Sequence, residues 1–267
     1  MTQERRDAPS AARSLVRTTD EDAVRLVVLE RPEARNAFDK ALYLELSGAL
    51  AAAAADPAVH VVVLTGSGGS FSAGQDLKEM AALVTGENAD PEAAKGFRGL
   101  MDALCAFDKP LVAAVNGVGV GLGFTILAHC DLVLVAEDAR LKVPFAELGV
   151  PAEAASSVLF PIRMGWQRAA EVLLTGKWVG AQEAVDAGIA LRACPADALV
   201  GEAMALAKQI AGHPPDAVRA IKRLMLVTQA PLVAAARERE DAAFAELLGS
   251  AANSAALDRF GETGRLS

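Results

Sequence analysis

Aromatic side chains are scarce in this sequence of 267 residues, of which only 4% are Phe, Trp or Tyr. Because 52% of the residues are nevertheless hydrophobic, the core must be built mainly from Ala, Val and Leu, which suits packed layers of helices and strands. The length fits one large globular domain, or a domain with a helical appendage.

Cysteine and positive charge are also limited. Cys105, Cys130 and Cys194 are widely spaced and form no C-x-x-C pair, so neither a disulfide framework nor a zinc site is predicted, and a cytoplasmic location is expected. Acidic residues outnumber basic ones by 34 to 26, which gives a net charge of -8. Since no basic block could follow a phosphate backbone, nucleic acid is not expected as a partner.

One uncharged stretch, residues 110–130, is long enough to cross a bilayer. Asn116 and the four glycines between 117 and 123 interrupt any helix in its first half, so we expect a buried strand, a glycine loop and a core helix rather than a membrane span. Residues 1–22 are polar and charged and lack the apolar centre of a secretory signal, which predicts a flexible N-terminal extension.

Short β-branched runs alternate with segments of helical composition, which indicates an α/β fold. Strands are predicted at 24–30, 59–65, 111–115 and 132–136. A helix is predicted over 39–55, with Asp39 as its N-cap. Beyond residue 200 only helical patterns remain, at 202–211, 215–228 and 231–248, so residues 23–200 are interpreted as an α/β core and 201–267 as a helical region for core covering and oligomerisation.

Two strand-to-helix loops have the composition of a ligand-binding site. The first, residues 70–80, contains the small residues Ser72, Ala73 and Gly74, which let backbone N–H groups approach a ligand closely. A simple turn is the alternative interpretation. The second, residues 116–125, is rich in glycine, but no register completes the G-x-G-x-x-G pattern of a dinucleotide site, so a nucleotide cofactor is not predicted.

Together the two loops resemble the crotonase (enoyl-CoA hydratase/isomerase) superfamily. The matching motifs are S-A-G-Q-D-L at 72–77 and K-P-L-V-A-A-V-N-G at 109–117, followed by Gly121. Further matches are E-R-P-E-A-R-N-A at 30–37, C-D at 130–131 and L-T-G at 174–176. The resemblance implies a spiral of ββα repeats with a C-terminal helical layer, an acyl-CoA thioester as substrate, no separate cofactor or metal, and a homotrimer or dimer of trimers.

The resemblance also implies the positions of the site. The backbone N–H groups of Gln75 and Leu122 would form an oxyanion hole for the thioester oxygen. The positions implied to bind the substrate and its CoA part are Ala34, Arg35, Ala73, Gly74, Gln75, Asp76, Leu77, Lys78, Gly121, Leu122 and Phe145.

The two positions that carry glutamate in hydratases of this family hold Thr125 and Phe145, and neither side chain can deprotonate a water molecule, which argues against an ordinary two-carboxylate hydratase. The segment 143–157 instead resembles the peroxisomal type of 3-enoyl-CoA to 2-enoyl-CoA isomerase, with pattern P-F-x-x-L-G-x-x-P-E-G-x-S-S. Its catalytic carboxylate falls on Glu153, although Ala152 and Ala154 replace the usual Pro and Gly. Glu147 is a rival carboxylate that is equally well explained as facing away from the substrate.

An enoyl-CoA isomerase in fatty acid metabolism is therefore the leading hypothesis. A hydratase with a non-standard base and a non-catalytic acyl-CoA binding protein stay open as alternatives. If Glu153 is the base, we expect it beside an apolar acyl tunnel lined by Phe145, Leu148 and Phe160, where burial raises its pKa. Phe244, in a terminal helix, is expected to pack in the core.

Overall fold

Two β-sheets form the frame of the molecule in the computed structural model, which describes residues 14–86 and 93–263. The strands are β1 Val16–Glu21, β2 Val24–Leu29, β3 Val61–Gly66, β4 Ser70–Ser72, β5 Leu111–Val115, β6 Val118–Val120, β7 Leu132–Ala136, β8 Arg140–Lys142, β9 Val179–Gly180 and β10 Arg192–Cys194. Six of them form one sheet in the order β1-β2-β3-β5-β7-β10, and the other four form a second sheet in the order β4-β6-β8-β9.

The helices surround these sheets. They are α1 Lys40–Ala55, α2 Leu77–Thr85, α3 Ala93–Ala106, α4 Leu122–Thr125, α5 Phe145–Leu148, α6 Ser156–Met164, α7 Trp166–Thr175, α8 Ala181–Asp186, α9 Leu199–Ala211, α10 Pro215–Leu226, α11 Ala230–Leu247 and α12 Ala251–Thr263. Short 3₁₀ helices occur at Pro32–Ala34 and Ile126–His129. None of the described helices is both long and apolar enough to cross a membrane.

The chain repeats one unit three times. A strand of the large sheet is followed at once by a strand of the small sheet and then by helix, in β3-β4-α2, β5-β6-α4 and β7-β8-α5. Pairing within each set of successive strands is parallel. The strands β3 and β5 are buried along their whole length, which explains their continuous runs of Val, Leu and Ala. This arrangement is the predicted spiral of ββα repeats.

The longer predicted elements are confirmed. The strands at 111–115 and 132–136 have the predicted bounds, and α1 begins one residue after its N-cap Asp39, whose side chain accepts a hydrogen bond from the Leu42 N–H at 2.9 Å. The short strands β4, β6, β8, β9 and β10 were not predicted, because two or three residues are too few to show an alternating pattern.

The prediction for residues 1–22 needs correction in its last part. Residues 16–21 form β1, which pairs antiparallel with β2 along its full length, so this segment belongs to the large sheet. Only Val16 of β1 is buried, and the other five residues are exposed. An edge strand of this kind has a polar composition that resembles a flexible tail. Residues 1–13 lie outside the described part of the chain.

The C-terminal helices pack against the α/β part of the chain. Helix α9 packs on β3 and β5 through Ala203 and Ala207, both fully buried. Helix α11 contacts α6, while α12 contacts α2 and α5. The last helix was not distinguished in the sequence. These contacts place α11 and α12 beside α2, α5 and α6, and residues of α2, α5 and α11 line a cavity there.

Candidate active site

A cavity of about 310 Å³ lies between the loop after β4, the loop after β6, the segment before α6 and one face of α11. Its wall is mainly apolar and includes Leu77, Met80, Phe97, Phe145, Leu148 and Phe244. Polar groups on the wall are few, and they include Tyr43, Gln75, Glu153 and Glu240. An apolar cavity with a few convergent polar groups is the typical form of a small-molecule site.

The loop after β4 is held in shape by Asn36, a fully buried side chain. Its amide nitrogen donates to the carbonyl oxygens of Ser70 and Phe71, at 2.9 and 3.3 Å. The backbone oxygen of Asn36 accepts from the Ser72 hydroxyl at 2.7 Å, and Ser72 Oγ in turn accepts from the Gly74 N–H at 3.0 Å. These bonds fix the backbone that leads into Gln75.

The backbone on either side of Gln75 pairs with Phe38. Phe38 donates its N–H to the Gly74 oxygen at 2.7 Å, and its own oxygen accepts from the Asp76 N–H at 2.9 Å. Because successive peptide groups of an extended segment point in opposite directions, the N–H of Gln75 points away from Phe38. In the described ranges it donates to no protein acceptor.

The loop after β6 turns sharply at Gly121, whose φ of 52° and ψ of -120° are accessible to glycine alone. The Gly121 oxygen accepts from the N–H groups of Phe124 and Thr125, at 2.8 and 2.9 Å, and this starts α4. Leu122, the first residue of α4, has no intrahelical acceptor for its own N–H. Within 14–86 and 93–263 that N–H is unpaired, like the one of Gln75.

Gly74 brings the two loops together. It has a φ of +83°, and a Cβ atom there would lie 2.3 Å from the Val120 oxygen and 3.3 Å from the Leu122 nitrogen. Only glycine allows so close an approach. The residues Gln75 and Leu122, which carry the two unpaired N–H groups, therefore line the same cavity from adjacent loops. Such a pair of donors suits an oxygen atom that gains negative charge.

Glu153 faces this cavity from the segment before α6. Its Oε1 accepts from the Thr125 hydroxyl at 2.6 Å, and its Oε2 is buried with no hydrogen-bond partner among the described residues. Burial raises the pKa of Glu153 to about 8, the negative charge of Glu240 adds to the increase, and the Thr125 hydrogen bond opposes it. A carboxyl group with a free oxygen and a pKa near neutrality can take and return a proton.

A series of hydrogen bonds from Tyr43 to Lys40 holds the Gln75 side chain. The Tyr43 hydroxyl donates to Gln75 Oε1 at 2.5 Å, and Gln75 Nε2 donates to Glu79 Oε2 at 3.1 Å. Glu79 Oε1 accepts from the Lys40 N–H at 3.1 Å. Tyr43 is buried, which raises the pKa of its phenol and keeps it a neutral donor. Sequence reasoning missed Tyr43, because a tyrosine on the apolar face of a helix carries no signal beyond core packing.

The structure brings some of the predicted substrate positions to the cavity but not all. Those on the wall are Ala73, Gln75, Leu77, Gly121, Leu122, Phe145 and Glu153. Those that do not line it are Ala34, Arg35, Gly74, Asp76 and Lys78. Arg35 and Lys78 are exposed, and the Asp76 carboxylate binds Arg31 at 2.8 Å and the Lys78 N–H at 3.0 Å. Any contact of these five residues with the CoA part of a substrate stays a prediction.

Three other expectations have clear outcomes. Phe160 does not line the cavity but is fully buried against Phe124, with ring centroids 4.9 Å apart. Phe244 packs against the core, as expected, and also lines the cavity. The rival carboxylate Glu147 pairs with Lys142 at 2.7 Å and is not part of the cavity wall. Residues 14–86 and 93–263 contain no cluster of His, Cys, Asp and Glu that could hold a metal ion.

Comparison with known proteins agrees with this geometry. The family model described as enoyl-CoA hydratase/isomerase matches residues 19–267. The chain is 36% identical over 209 residues to the 2,3-dehydroadipyl-CoA hydratase of Escherichia coli, covering 77% of this chain and 79% of that protein. It is 34% identical over 223 residues to enoyl-CoA delta isomerase 2 of Rattus norvegicus, covering 83% of this chain but only 57% of the isomerase.

Solved structures show the same relation. An enoyl-CoA hydratase/isomerase from Pseudoalteromonas atlantica superposes with a TM-score of 0.86 at 32% identity, covering 94% of this chain and 98% of that one. An enoyl-CoA hydratase from Mycobacterium marinum is 46% identical with a TM-score of 0.75, covering 79% and 99%. The fold, the cavity and these matches together show that the chain belongs to the enoyl-CoA hydratase/isomerase family, the crotonase superfamily of acyl-CoA enzymes.

Proposed function

We propose that this enzyme converts 3-enoyl-CoA into trans-2-enoyl-CoA, with Glu153 as its catalytic base. The observation that carries the proposal is the Glu153 carboxyl group, which lines an apolar cavity and keeps Oε2 free of protein partners in the described chain. A single carboxyl group is sufficient to move a double bond by one position, because the proton that is removed is also the one returned.

The proposed reaction begins when the thioester oxygen accepts hydrogen bonds from the N–H groups of Gln75 and Leu122. The Glu153 carboxylate then takes a proton from C2, and the electron pair of that C–H bond forms a dienolate whose negative oxygen these two donors stabilise. Glu153 returns the proton to C4, so the double bond moves from C3–C4 to C2–C3. No water is consumed, and Glu153 ends ionised as it began.

The surroundings of Glu153 favour isomerisation over hydration. Hydration needs groups that orient and deprotonate a water molecule, usually two carboxylates. The two positions that carry glutamate in hydratases of this family hold Thr125 and Phe145 here, and the Thr125 hydroxyl donates its hydrogen bond to Glu153. The wall carries two other carboxylates: Glu240 has both oxygens engaged by backbone N–H groups of Ala155 and Ser157, and Asp241 pairs with Arg98 at 3.2 Å. Of the three, Glu153 is the one with a buried oxygen that has no hydrogen-bond partner among the described residues.

The substitution Glu153→Gln tests this assignment. We expect kcat for 3-enoyl-CoA isomerisation to fall by about 10²–10⁴, because a general base is lost, while the Kd for an acyl-CoA ester changes little. The conjugated 2-enoyl thioester is followed by its ultraviolet absorbance, and binding by calorimetry. Glu147→Gln is the matched control, since Glu147 pairs with Lys142 away from the cavity. Unchanged turnover in Glu153→Gln contradicts the proposal.

The two alternatives give different results in the same assay. A hydratase incubated with crotonyl-CoA in ¹⁸O-labelled water accumulates labelled 3-hydroxy product, which mass spectrometry detects. A non-catalytic binding protein binds both thioesters and converts neither. We expect binding of both esters, conversion of the 3-enoyl ester and negligible labelled adduct.

A further inference from the structure

Glu240 is a buried carboxylate that the proposed reaction does not use. It lies on α11 with 7% of its surface exposed, and it shares the cavity wall with Glu153. Its Oε2 accepts from the Ala155 N–H at 2.6 Å, and its Oε1 accepts from the Ser157 N–H at 3.0 Å. Two charge-assisted hydrogen bonds therefore tie α11 to the start of α6, across a sequence separation of 85 residues.

The backbone held by Glu240 is unusual. Ala154 and Ala155 have φ values of 56° and 57°, so two consecutive alanines adopt the left-handed conformation that favours glycine. Non-glycine residues in this region persist only when their surroundings hold them. Two further hydrogen bonds hold this turn besides those of Glu240. His129 Nε2 bonds to the backbone oxygen of Ala154 at 2.8 Å, and the Ser156 N–H donates to the backbone oxygen of Glu153 at 3.0 Å.

This left-handed turn sets the direction of Glu153, which immediately precedes it. At the other end of the side chain, Thr125 donates to Oε1 at 2.6 Å, while Oε2 is buried with no hydrogen-bond partner among the described residues. If the turn relaxed, the Cα–Cβ bond of Glu153 would rotate, and a displacement of about 1 Å can cost roughly 100-fold in rate. Holding the turn is therefore a condition for holding the carboxyl group.

Glu240 lies beside Glu153 without a cationic partner in the described chain; burial raises the pKa of Glu240, and its hydrogen bonds with Ser157 and Ala155 oppose that rise. On its own helix, Arg237 is paired with Asp102 of α3 at 2.8 Å, and Asp241 with Arg98 of α3 at 3.2 Å. From the side of α6, Glu240 faces backbone N–H groups, and the nearby His129 is neutral because burial lowers its pKa to about 4. Within the described ranges no cation forms an ion pair with Glu240.

We propose that Glu240 is a positioning residue that locks the left-handed turn at Ala154 and Ala155 and thereby aims the Glu153 carboxyl group at the substrate. The inference rests on the proposed function of Glu153, but Glu240 itself, together with Thr125 and His129, lies outside the family motif that identified Glu153. It assigns to α11 a role in the active site beyond covering the core.

Glu240→Gln tests the proposal, with Glu238→Gln as the matched control, because Glu238 is exposed on the same helix. An amide side chain has one acceptor oxygen, so one of the two backbone N–H groups loses its partner. We expect kcat to fall about 10- to 100-fold while KM changes less than about threefold. The acidic limb of the pH profile should also move to lower pH, since the negative charge beside Glu153 is removed.

A second variant tests the turn itself. Ala154→Gly relieves the left-handed strain, so the double variant Glu240→Gln/Ala154→Gly should recover part of the lost kcat. Circular dichroism melting checks that each protein is folded. A purely structural role for Glu240 predicts a lower Tm with no recovery of kcat in the double variant. That result, or wild-type kcat, KM and pH profile in Glu240→Gln, overturns the proposal.

Infrared difference titration separates this inference from the proposed reaction. The carbonyl band of protonated Glu153, identified by its loss in Glu153→Gln, reports ionisation in the ligand-free protein without turnover. We expect the band to disappear at lower pH in Glu240→Gln than in the wild type or Glu238→Gln. If Glu153→Gln retains full turnover, the proposed reaction fails, yet a shifted band still shows that Glu240 controls Glu153. An unshifted band counts against Glu240 whatever the reaction is.

Discussion

At the scale of single residues, the environment of Glu153 has opposite consequences for binding and for catalysis. The apolar wall that receives an acyl chain also disfavours the ionised carboxyl group, so the pKa of Glu153 rises to about 8. In the proposed reaction the thioester oxygen accepts hydrogen bonds from backbone N–H groups, and these groups do not titrate. In the proposed reaction Glu153 is thus the group whose protonation state should govern the rate.

The pH dependence follows from the sign of this shift. Because a base acts in its ionised form, kcat/KM for 3-enoyl-CoA should rise with pH and level off above about 8. The folded protein holds the Glu153 proton more tightly than the unfolded chain does, so the contribution of Glu153 to stability declines as pH rises from 4.5 toward 8. Steady-state rates across this range check the first statement, and a rate that falls between pH 6 and 8 contradicts it.

At the scale of elements, the loops after β4 and β6 cooperate through one close contact. Gly74 lets the first loop lie against Val120, and this places the residues Gln75 and Leu122 on one wall. The loops belong to successive ββα units whose strands β4 and β6 pair in parallel, so the sheet register brings them side by side. The site therefore depends on the repeat architecture and not on either loop alone.

Gly74→Ala is expected to separate these loops. The added Cβ would lie 2.3 Å from the Val120 oxygen, and the φ of +83° is unfavourable for alanine. We expect kcat/KM to fall by about 10²–10³, the usual effect of losing one donor to a developing oxyanion. Gly69→Ala is the control, because a Cβ at Gly69 meets no atom within 4 Å. Wild-type kcat/KM in a folded Gly74→Ala protein contradicts this account of the loops.

At the scale of the whole molecule, the C-terminal region leaves an apolar surface uncovered. On and after α10 the side chains of Ile221, Leu224, Met225, Val227 and Leu232 are between 50% and 73% exposed. A group of large exposed apolar residues is typical of a surface that contacts another protein molecule. Together with the family resemblance, this favours a homotrimer or a dimer of trimers in which these residues are covered.

Sedimentation velocity tests this assembly directly. We expect the wild-type protein to sediment as a trimer or hexamer, and Leu224→Asp to shift it toward lighter species because a buried unpaired carboxylate is costly. Leu174→Asp on α7, where the leucine is 75% exposed outside this surface, is the comparison. A monomeric wild-type protein, or an unchanged assembly in Leu224→Asp, contradicts the prediction.

Much of the architecture could be predicted because it depends on local chemistry. Buried strands such as β5 are continuous apolar runs, and α1 begins at a capping residue, so both are visible in a short window of sequence. The motifs around Gly74 and Gly121 pointed to Gln75 and Leu122, and both residues line the cavity. The strand β1 was missed because exposed edge strands and flexible tails share a polar composition.

Residue types at fixed local spacing were enough to indicate the family, the two glycine loops and Glu153 as the candidate base. The surroundings of Glu153, in contrast, come from packing between distant parts of the chain. Thr125 bonds to Glu153 across 28 residues of sequence, Glu240 bonds to the same turn across 85, and Phe244 lines the cavity. The physical reason is that an amphipathic helix such as α11 shows which face is buried but not which element it packs against.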